Sequence, residues 1–361
     1  MKQLDYLTRQ KLVKKRLESE DIDILIIPPS VNFYYLFKGY LQLSERLICG
    51  IIDKTENAVL IAPSFEKENM QVQTTFDDVQ TWNEDENPYN VLKKSLSYEP
   101  KKIAIESTTP FEIYIQLKKR FPSSDFVDGK IFIDELRAIK TEAEIQRMIQ
   151  AAQFTVEGIM KTLEVMKEGQ SEIDLLKIAQ NQMSSVSGEI SWALVQIDEN
   201  SAIPHGKPSD KKLKQNSVIL IDAGTSCDHY FADITVTSIF GTASEKFNKI
   251  YPIVEEANNA ALEKSKTGVI AETVDFSARQ IIEKAGYGKY FPHRLGHGLG
   301  LQVHETPYIV KGNKEKLLSG NVHTDEPGIY IPGQFGIRIE DDVLVQEKSK
   351  RLIEFDRYLW K

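Results

Sequence analysis

The chain has 361 residues, 45 of them Lys or Arg and 53 Asp or Glu, for a net charge of -8; 41% are hydrophobic and 27% charged. This is an ordinary globular mixture with room for about two or three domains, and its acidic balance gives a nucleic-acid partner no global support. The Met-Lys-Gln-Leu-Asp start lacks the apolar stretch of a signal peptide, and no uncharged apolar run is long enough for a membrane span. Cys49 and Cys227 are too far apart to suggest a disulfide framework, so the expectation is a cytoplasmic protein with no membrane partner.

Taken in chain order, residues 4–17 read as an amphipathic helix, and 22–27 as a short apolar strand ended by Pro28-Pro29. Strands follow at 47–52, 58–62 and 102–105, with helices near 65–73 and 110–120. That alternation predicts an α/β N-terminal domain over residues 1–130. A long helix is expected from Thr141, because Thr141-Glu-Ala-Glu144 has the form of a capping box and apolar residues recur through Met148, Ala152, Val156 and Ile159. Ser171-Glu-Ile-Asp174 is a second start signal, and another helix is expected from Ser244 to about Gly268. Strands are expected at 217–222 and 229–240, joined by a turn, so that Asp222 and Asp233 could face each other across a hairpin.

All six histidines lie beyond residue 204, so imidazole chemistry belongs to the C-terminal part. Asp222, Asp233, His297, Glu326 and Glu340 sit in distinctive contexts: Ile-Asp222-Ala-Gly, Ala-Asp233-Ile-Thr, Gly-His297-Gly-Leu-Gly, Asp-Glu326-Pro-Gly-Ile-Tyr and Arg338-Ile-Glu340-Asp-Asp. A single strand carboxylate is usually solvent-facing. Four carboxylates and one imidazole in such apolar surroundings form a hard, oxygen-rich ligand set suited to Mn, Fe, Co, Zn or Mg. Two such ions roughly 3.5–4 Å apart form a hydrolytic device, since they activate water and polarise a carbonyl together. Glu326 and Glu340 flank Pro327-Gly328 and Pro332-Gly333, which suggests two strand pairs with the site at their seam. The simpler alternative, a buried Arg338–Glu340 ion pair, leaves the glycine-flanked His297 unexplained.

With these motifs in view, the chain from about residue 136 resembles the pita-bread metallopeptidases, which include Xaa-Pro aminopeptidases, prolidases and methionine aminopeptidases. The Asn32-Phe-Tyr-Tyr-Leu36 segment resembles the creatinase/prolidase N-domain, which typical methionine aminopeptidases lack. Creatinase shares both domains but works without metal, and the five ligand types kept here argue against that chemistry. The resemblance implies an α+β pita-bread catalytic domain over residues 131–361, with two divalent ions, Mn2+ first and Co2+, Zn2+ or Fe2+ as alternatives. Asp222 would chelate one ion, His297 and Glu326 the other, and Asp233 and Glu340 would bridge. His205 and His304 match the histidines that bind substrate and stabilise the tetrahedral intermediate. His293 matches a substrate-pocket histidine, Arg338 would orient Glu340, Thr235 would add a supporting hydroxyl, and Glu326 would shuttle the proton. His229 and His323 match no such role.

The implied reaction is cleavage of an N-terminal residue from a following proline, in an Xaa-Pro aminopeptidase forming a homodimer. A dipeptidase (prolidase) is the alternative, and a non-catalytic protein-binding relative a more distant one. The lean towards longer peptides rests on Tyr308, which stands where prolidases often carry a carboxylate-binding arginine, with no arginine between Arg294 and Arg338. Asp325, where prolidases commonly have Ile or Val, leans the same way.

Overall fold

A computed structural model describes residues 4–55, 57–189 and 191–357. The chain divides into two compact units, the first ending at Arg137 and the second beginning at Ala138. Among the described residues no helix is long and apolar enough to cross a membrane. Cys49 and Cys227 are both buried and free.

The first unit contains helices α1 (Tyr6–Ser19), α2 (Val31–Phe37), α3 (Lys67–Gln73), α4 (Pro88–Lys94), α5 (Phe111–Arg120) and α6 (Lys130–Ala138). Its strands are β1 (Ile24–Ile27), β2 (Cys49–Asp53), β3 (Val59–Pro63), β4 (Val79–Trp82), β5 (Lys102–Ile105) and β6 (Asp125–Asp128). They form one mixed sheet in the order β4-β3-β2-β1-β5-β6. The central β1 is apolar at every position and buried on both faces, as a strand inside an α/β sheet must be. The edge strand β6 begins and ends on exposed aspartates, which discourage further pairing. The Asn32-Phe-Tyr-Tyr-Leu segment is helical, with Ser30 as its N-cap, and Asn32 is held between Glu106 and Arg137.

In the second unit, α7 (Glu142–Val165) starts on the Thr141/Glu144 capping box and α8 (Glu172–Ser187) on an equivalent Ser171/Asp174 box. They pack together, and α7 lies against the sheet of β7 (Trp192–Ile197), β8 (Ser217–Gly224) and β11 (Ile234–Phe240). Between β8 and β11 stands a small hairpin, β9 (Ser226–Cys227) and β10 (Tyr230–Phe231). Its turn residues Asp228 and His229 have φ of 46° and 67°, the left-handed pair that a two-residue hairpin turn requires. The strand expected over 229–240 is therefore interrupted at Ala232-Asp233. Asp222 pairs with Thr235 rather than with Asp233.

The other half repeats this layout. Helices α9 (Glu245–Lys264) and α10 (Ala271–Lys284) pack against a sheet ordered β13-β12-β14-β17-β18. These strands are β12 (Gly296–Gly298), β13 (Glu305–Ile309), β14 (Val322–Asp325), β17 (Asp341–Leu344) and β18 (Lys350–Arg351), with β15 (Gly328–Ile331) and β16 (Phe335–Arg338) forming a separate hairpin. Pro252 lies inside α9 and removes one backbone donor. The helix continues because Phe247, Ile250, Tyr251, Val254, Ala257 and Ala261 form a helical stripe that enters the main core beside Ile309, Ile329 and Ile337.

Candidate metal centre and active-site cleft

Three of the carboxylates lie where a ladder breaks. Asp233 falls between β10 and β11, Glu326 between β14 and β15, and Glu340 between β16 and β17. Each is still fixed by its own backbone N–H: Asp233 donates to Asp342 Oδ2 at 3.1 Å, Glu326 to Leu295 O at 2.9 Å and Glu340 to Thr235 O at 3.1 Å. Asp222 remains within β8, and Asp222, Asp233, His297, Glu326 and Glu340 all line one cleft of about 680 Å³.

His297 is placed by close backbone packing. A Cβ on Gly296 would collide with the Thr324 carbonyl oxygen, and one on Gly298 with that of Thr306, so only glycine fits on either side. The ring's Nδ1 lies 3.1 Å from Gly298 O, a pure acceptor, and so carries the proton. Nε2 is left with its lone pair facing Glu326 Oε1 at 3.6 Å and Asp233 Oδ2 at 3.9 Å. Donor atoms of Asp233, His297 and Glu340 all lie within 4.8 Å of one another. Asp222 Oδ1 and Asp233 Oδ1 are buried without a hydrogen-bond partner.

The electrostatics fit a cation site. Burial, then the carboxylates around it, pushes Asp233 well above its ordinary value, and Glu326 likewise rises through burial and Glu340. Glu340 is raised to about 8 by burial and by Asp222. Burial, followed by repulsion from His304, lowers His297 to about 3, keeping its imidazole neutral and able to coordinate. A cluster in which burial and mutual repulsion raise the acids, beside neutral imidazole and unpartnered carboxylate oxygens, is one that divalent cations complete. The donor set fits them.

Arg338 is the protein's own cation beneath this cluster. Its guanidinium donates to Asp222 Oδ2, to Thr235 Oγ1 at 3.0 Å and to the Tyr330 hydroxyl at 3.1 Å. Glu340 Oε2 is 3.8 Å from its Nε but accepts a 2.5 Å hydrogen bond from Thr235. Arg338 thus holds Asp222 directly and Glu340 mainly through Thr235. Tyr330 in turn contacts His293 Nε2 at 2.8 Å, while His293 Nδ1 donates to Arg294 O at 2.7 Å. Burial lowers His293 to about 4, so it accepts from the tyrosine as a neutral ring.

His205, His293 and His304 line the same cleft, and the His304 ring centroid is 4.1 Å from that of His297. Burial and the nearby Arg294 lower His304, which favours its neutral form. His304 is carried next to Glu305, whose carboxylate is tied to Lys140 by a buried 2.8 Å ion pair. His229 and His323 lie outside the cleft. The first faces Glu189, and the second is fully buried between Ser265 and the Thr324 carbonyl. Sequence reasoning missed Tyr330, Arg294, Trp192 and Lys140. Tyr330 ends the Pro-Gly-Ile-Tyr motif and could have been flagged; Lys140 meets Glu305 across 165 positions, which no local pattern reports.

Comparison with known proteins gives matches to two family models: metallopeptidase family M24 over residues 146–347, and the creatinase/prolidase N-terminal domain over residues 9–139. An uncharacterized peptidase of Staphylococcus epidermidis is 37% identical over 351 residues, covering 96% of this chain and 99% of the relative. Among solved structures, a prolidase from Thermococcus sibiricus is 35% identical with a TM-score of 0.90, covering 99% of this chain and all of the other. An X-Pro aminopeptidase from Thermotoga maritima is 30% identical with a TM-score of 0.87, covering 96% of this chain and 99% of the other.

Proposed function

Because the chain belongs to metallopeptidase family M24, we propose that its cleft hydrolyses the peptide bond between an N-terminal residue and a following proline in short peptides. The observation that carries this reading is the meeting of Asp222, Asp233, His297, Glu326 and Glu340 in one cleft, with buried carboxylate oxygens left unpartnered. The names of the solved relatives, prolidase and X-Pro aminopeptidase, support proline as the second residue. Expected around this core are two divalent ions, Mn2+ first, and a homodimer.

When bound, the metal pair activates the attacking water and polarises the scissile carbonyl. The chain's own groups do the rest. Glu326 stands in the cleft beside His297, 3.6 Å from its Nε2, so as a carboxylate it can take a proton from the attacking water and deliver it to the leaving proline nitrogen. That delivery matters because the imide nitrogen has no hydrogen and leaves only once protonated. His304 and His205, at the cleft wall, donate hydrogen bonds to the charge that develops on the carbonyl oxygen. Arg338, Tyr330 and Thr235 keep Asp222, His293 and Glu340 from drifting as charge moves.

The expectation of longer substrates rests on Tyr308, in place of an arginine, and on Asp325. Arg294 packs on that tyrosine, so a guanidinium stands beside the place where the arginine is missing. The test is hydrolysis of an Xaa-Pro dipeptide, an Xaa-Pro-Xaa tripeptide and an Ala-Ala control by metal-stripped protein, with and without Mn2+. Metal-dependent cleavage confined to the proline peptides is expected. Equal cleavage of Ala-Ala would remove proline from the reading, and full activity without metal would remove the metal pair.

A further inference from the structure

Arg294 enters the cleft from the segment leading into β12, and its guanidinium lies over the Tyr308 ring, 4.7 Å from the centroid. Tyr308 is the cross-strand partner of His297, so this stack stands one strand away from the metal cluster. Both residues are reachable: Arg294 is partly exposed and Tyr308 is 39% exposed.

What separates Arg294 from the other arginine of the cleft is its lack of partners. Arg338 is engaged at all three of its nitrogens, by Asp222, Thr235 and Tyr330. Among the described residues, the Arg294 guanidinium has only the aromatic contact, with no hydrogen bond or ion pair, although four carboxylates line the same cleft. Its charge is nevertheless felt at Glu326 and His304. A guanidinium is a planar fork of five donors matched to a carboxylate, and stacking on a ring fixes its plane while leaving the donor edge free. Such an edge, open in a substrate cleft and unused by the protein's own acids, is a ready anion receiver.

We infer that Arg294, held flat on Tyr308, receives a carboxylate of the substrate and thereby selects which peptides are cleaved. The inference rests on the Xaa-Pro reading of this cleft and adds the group that reads the substrate's charge. Two sources supply that chemistry: the free C-terminal carboxylate of a dipeptide, or the side chain of an acidic residue preceding proline. The first would make this protein a dipeptidase despite its tyrosine at position 308.

The experiment compares the metal-loaded wild type with Arg294→Met and Arg294→Lys on Ala-Pro, Ala-Pro amide and Asp-Pro amide. A charged hydrogen-bonded pair predicts that the wild type favours the carboxylate-bearing substrate by about 10–100-fold in kcat/KM, mostly through KM. Arg294→Met should erase that preference, bringing the carboxylate-bearing substrate down to the level of Ala-Pro amide, and Arg294→Lys should keep part of it. Loss of the Ala-Pro over Ala-Pro amide preference identifies the C-terminal carboxylate. Loss of the Asp-Pro amide over Ala-Pro amide preference identifies the side chain. An equal fall on all three substrates, or no change on any, overturns the inference.

If the wild type cleaves none of them, the Xaa-Pro reading fails, and the inference is then decided by binding. Trp192 lines the cleft and reports occupancy by its fluorescence. Tighter binding of proline than prolinamide, or of aspartate than asparagine, lost in Arg294→Met, upholds the carboxylate receiver. No such discrimination in the wild type overturns it.

Discussion

Glu340 and Asp341 are neighbours in sequence, both almost fully buried, and they are treated in opposite ways. Asp341 faces Arg351 and Arg357, which grip it at 2.8 Å and 2.7 Å and pull it below its ordinary value against the upward push of burial. Glu340 faces Asp222 and the other acids, and burial with their repulsion lifts it to about 8. The protein neutralises the back of this strand with its own cations and leaves the front short of them. Of the two arginines that line the cleft beside its four carboxylates, Arg338 alone pairs with any of them. The difference marks one face as structural and the other as made to receive charge from outside.

Exchanging the neighbours one at a time should break this contrast cleanly. Asp341→Asn strands the buried Arg357 guanidinium and loosens the partly buried Arg351, and should cost about 3–5 kcal/mol, as removal of one partner from a buried pair does. Urea unfolding would show this loss, whereas equal stability would mean the arginines find other acceptors. Glu340→Gln should leave the metal-free protein as stable or more so, because it relieves repulsion. Its metal content should fall below two ions, and kcat/KM by more than about 100-fold, beyond what loss of a mere supporting group brings. Metal analysis beside the unfolding curves separates the two variants.

His323 sharpens the comparison from the back face, through pH. Burial lowers it to about 4 from an ordinary 6.5. Above pH 6.5 both folded and unfolded forms are neutral there and it has no effect. As pH falls from 6.5 towards 4 only the unfolded chain takes the proton, so stability declines by about 3 kcal/mol in total, and below 4 the decline stops. His323→Gln should flatten the difference between unfolding midpoints at pH 7.5 and pH 5; an unchanged difference would assign the acid sensitivity elsewhere. The smallest effect belongs to Thr235→Val, which cuts the link from Arg338 to Glu340 and should lower metal affinity or activity by about 10–100-fold. Isothermal titration with Mn2+ would read it, and unaltered affinity would show that the 3.8 Å Arg338–Glu340 approach suffices.

Sequence reading found the helices that announce their starts, as at Thr141, Ser171 and Ser244, because a capping side chain is a local signal. It passed over α2, where six of seven residues are buried and no polar face reveals the helical period. The continuous strand expected over 229–240 breaks at Ala232-Asp233, after a left-handed turn at Asp228-His229 made without glycine. The acidic and histidine members of the cleft could be named in advance because each needs an unusual residue type in an apolar context. Their mutual arrangement could not, since Asp222 meets Arg338 across 116 positions and Thr235 meets Glu340 across 105. The role of Arg294 was likewise invisible until the β12–β13 register set it on Tyr308.

The interruptions at Asp233, Glu326 and Glu340 have a consequence for descent. At each break the backbone amide is anchored by a neighbour, to Asp342, Leu295 or Thr235, while the side chain adds nothing to the ladder. The frame and the chemistry are thus encoded by different atoms of the same residues. A lineage could discard or exchange the acids one by one and keep the fold, so paralogues with altered or extinguished catalysis are a short mutational step away.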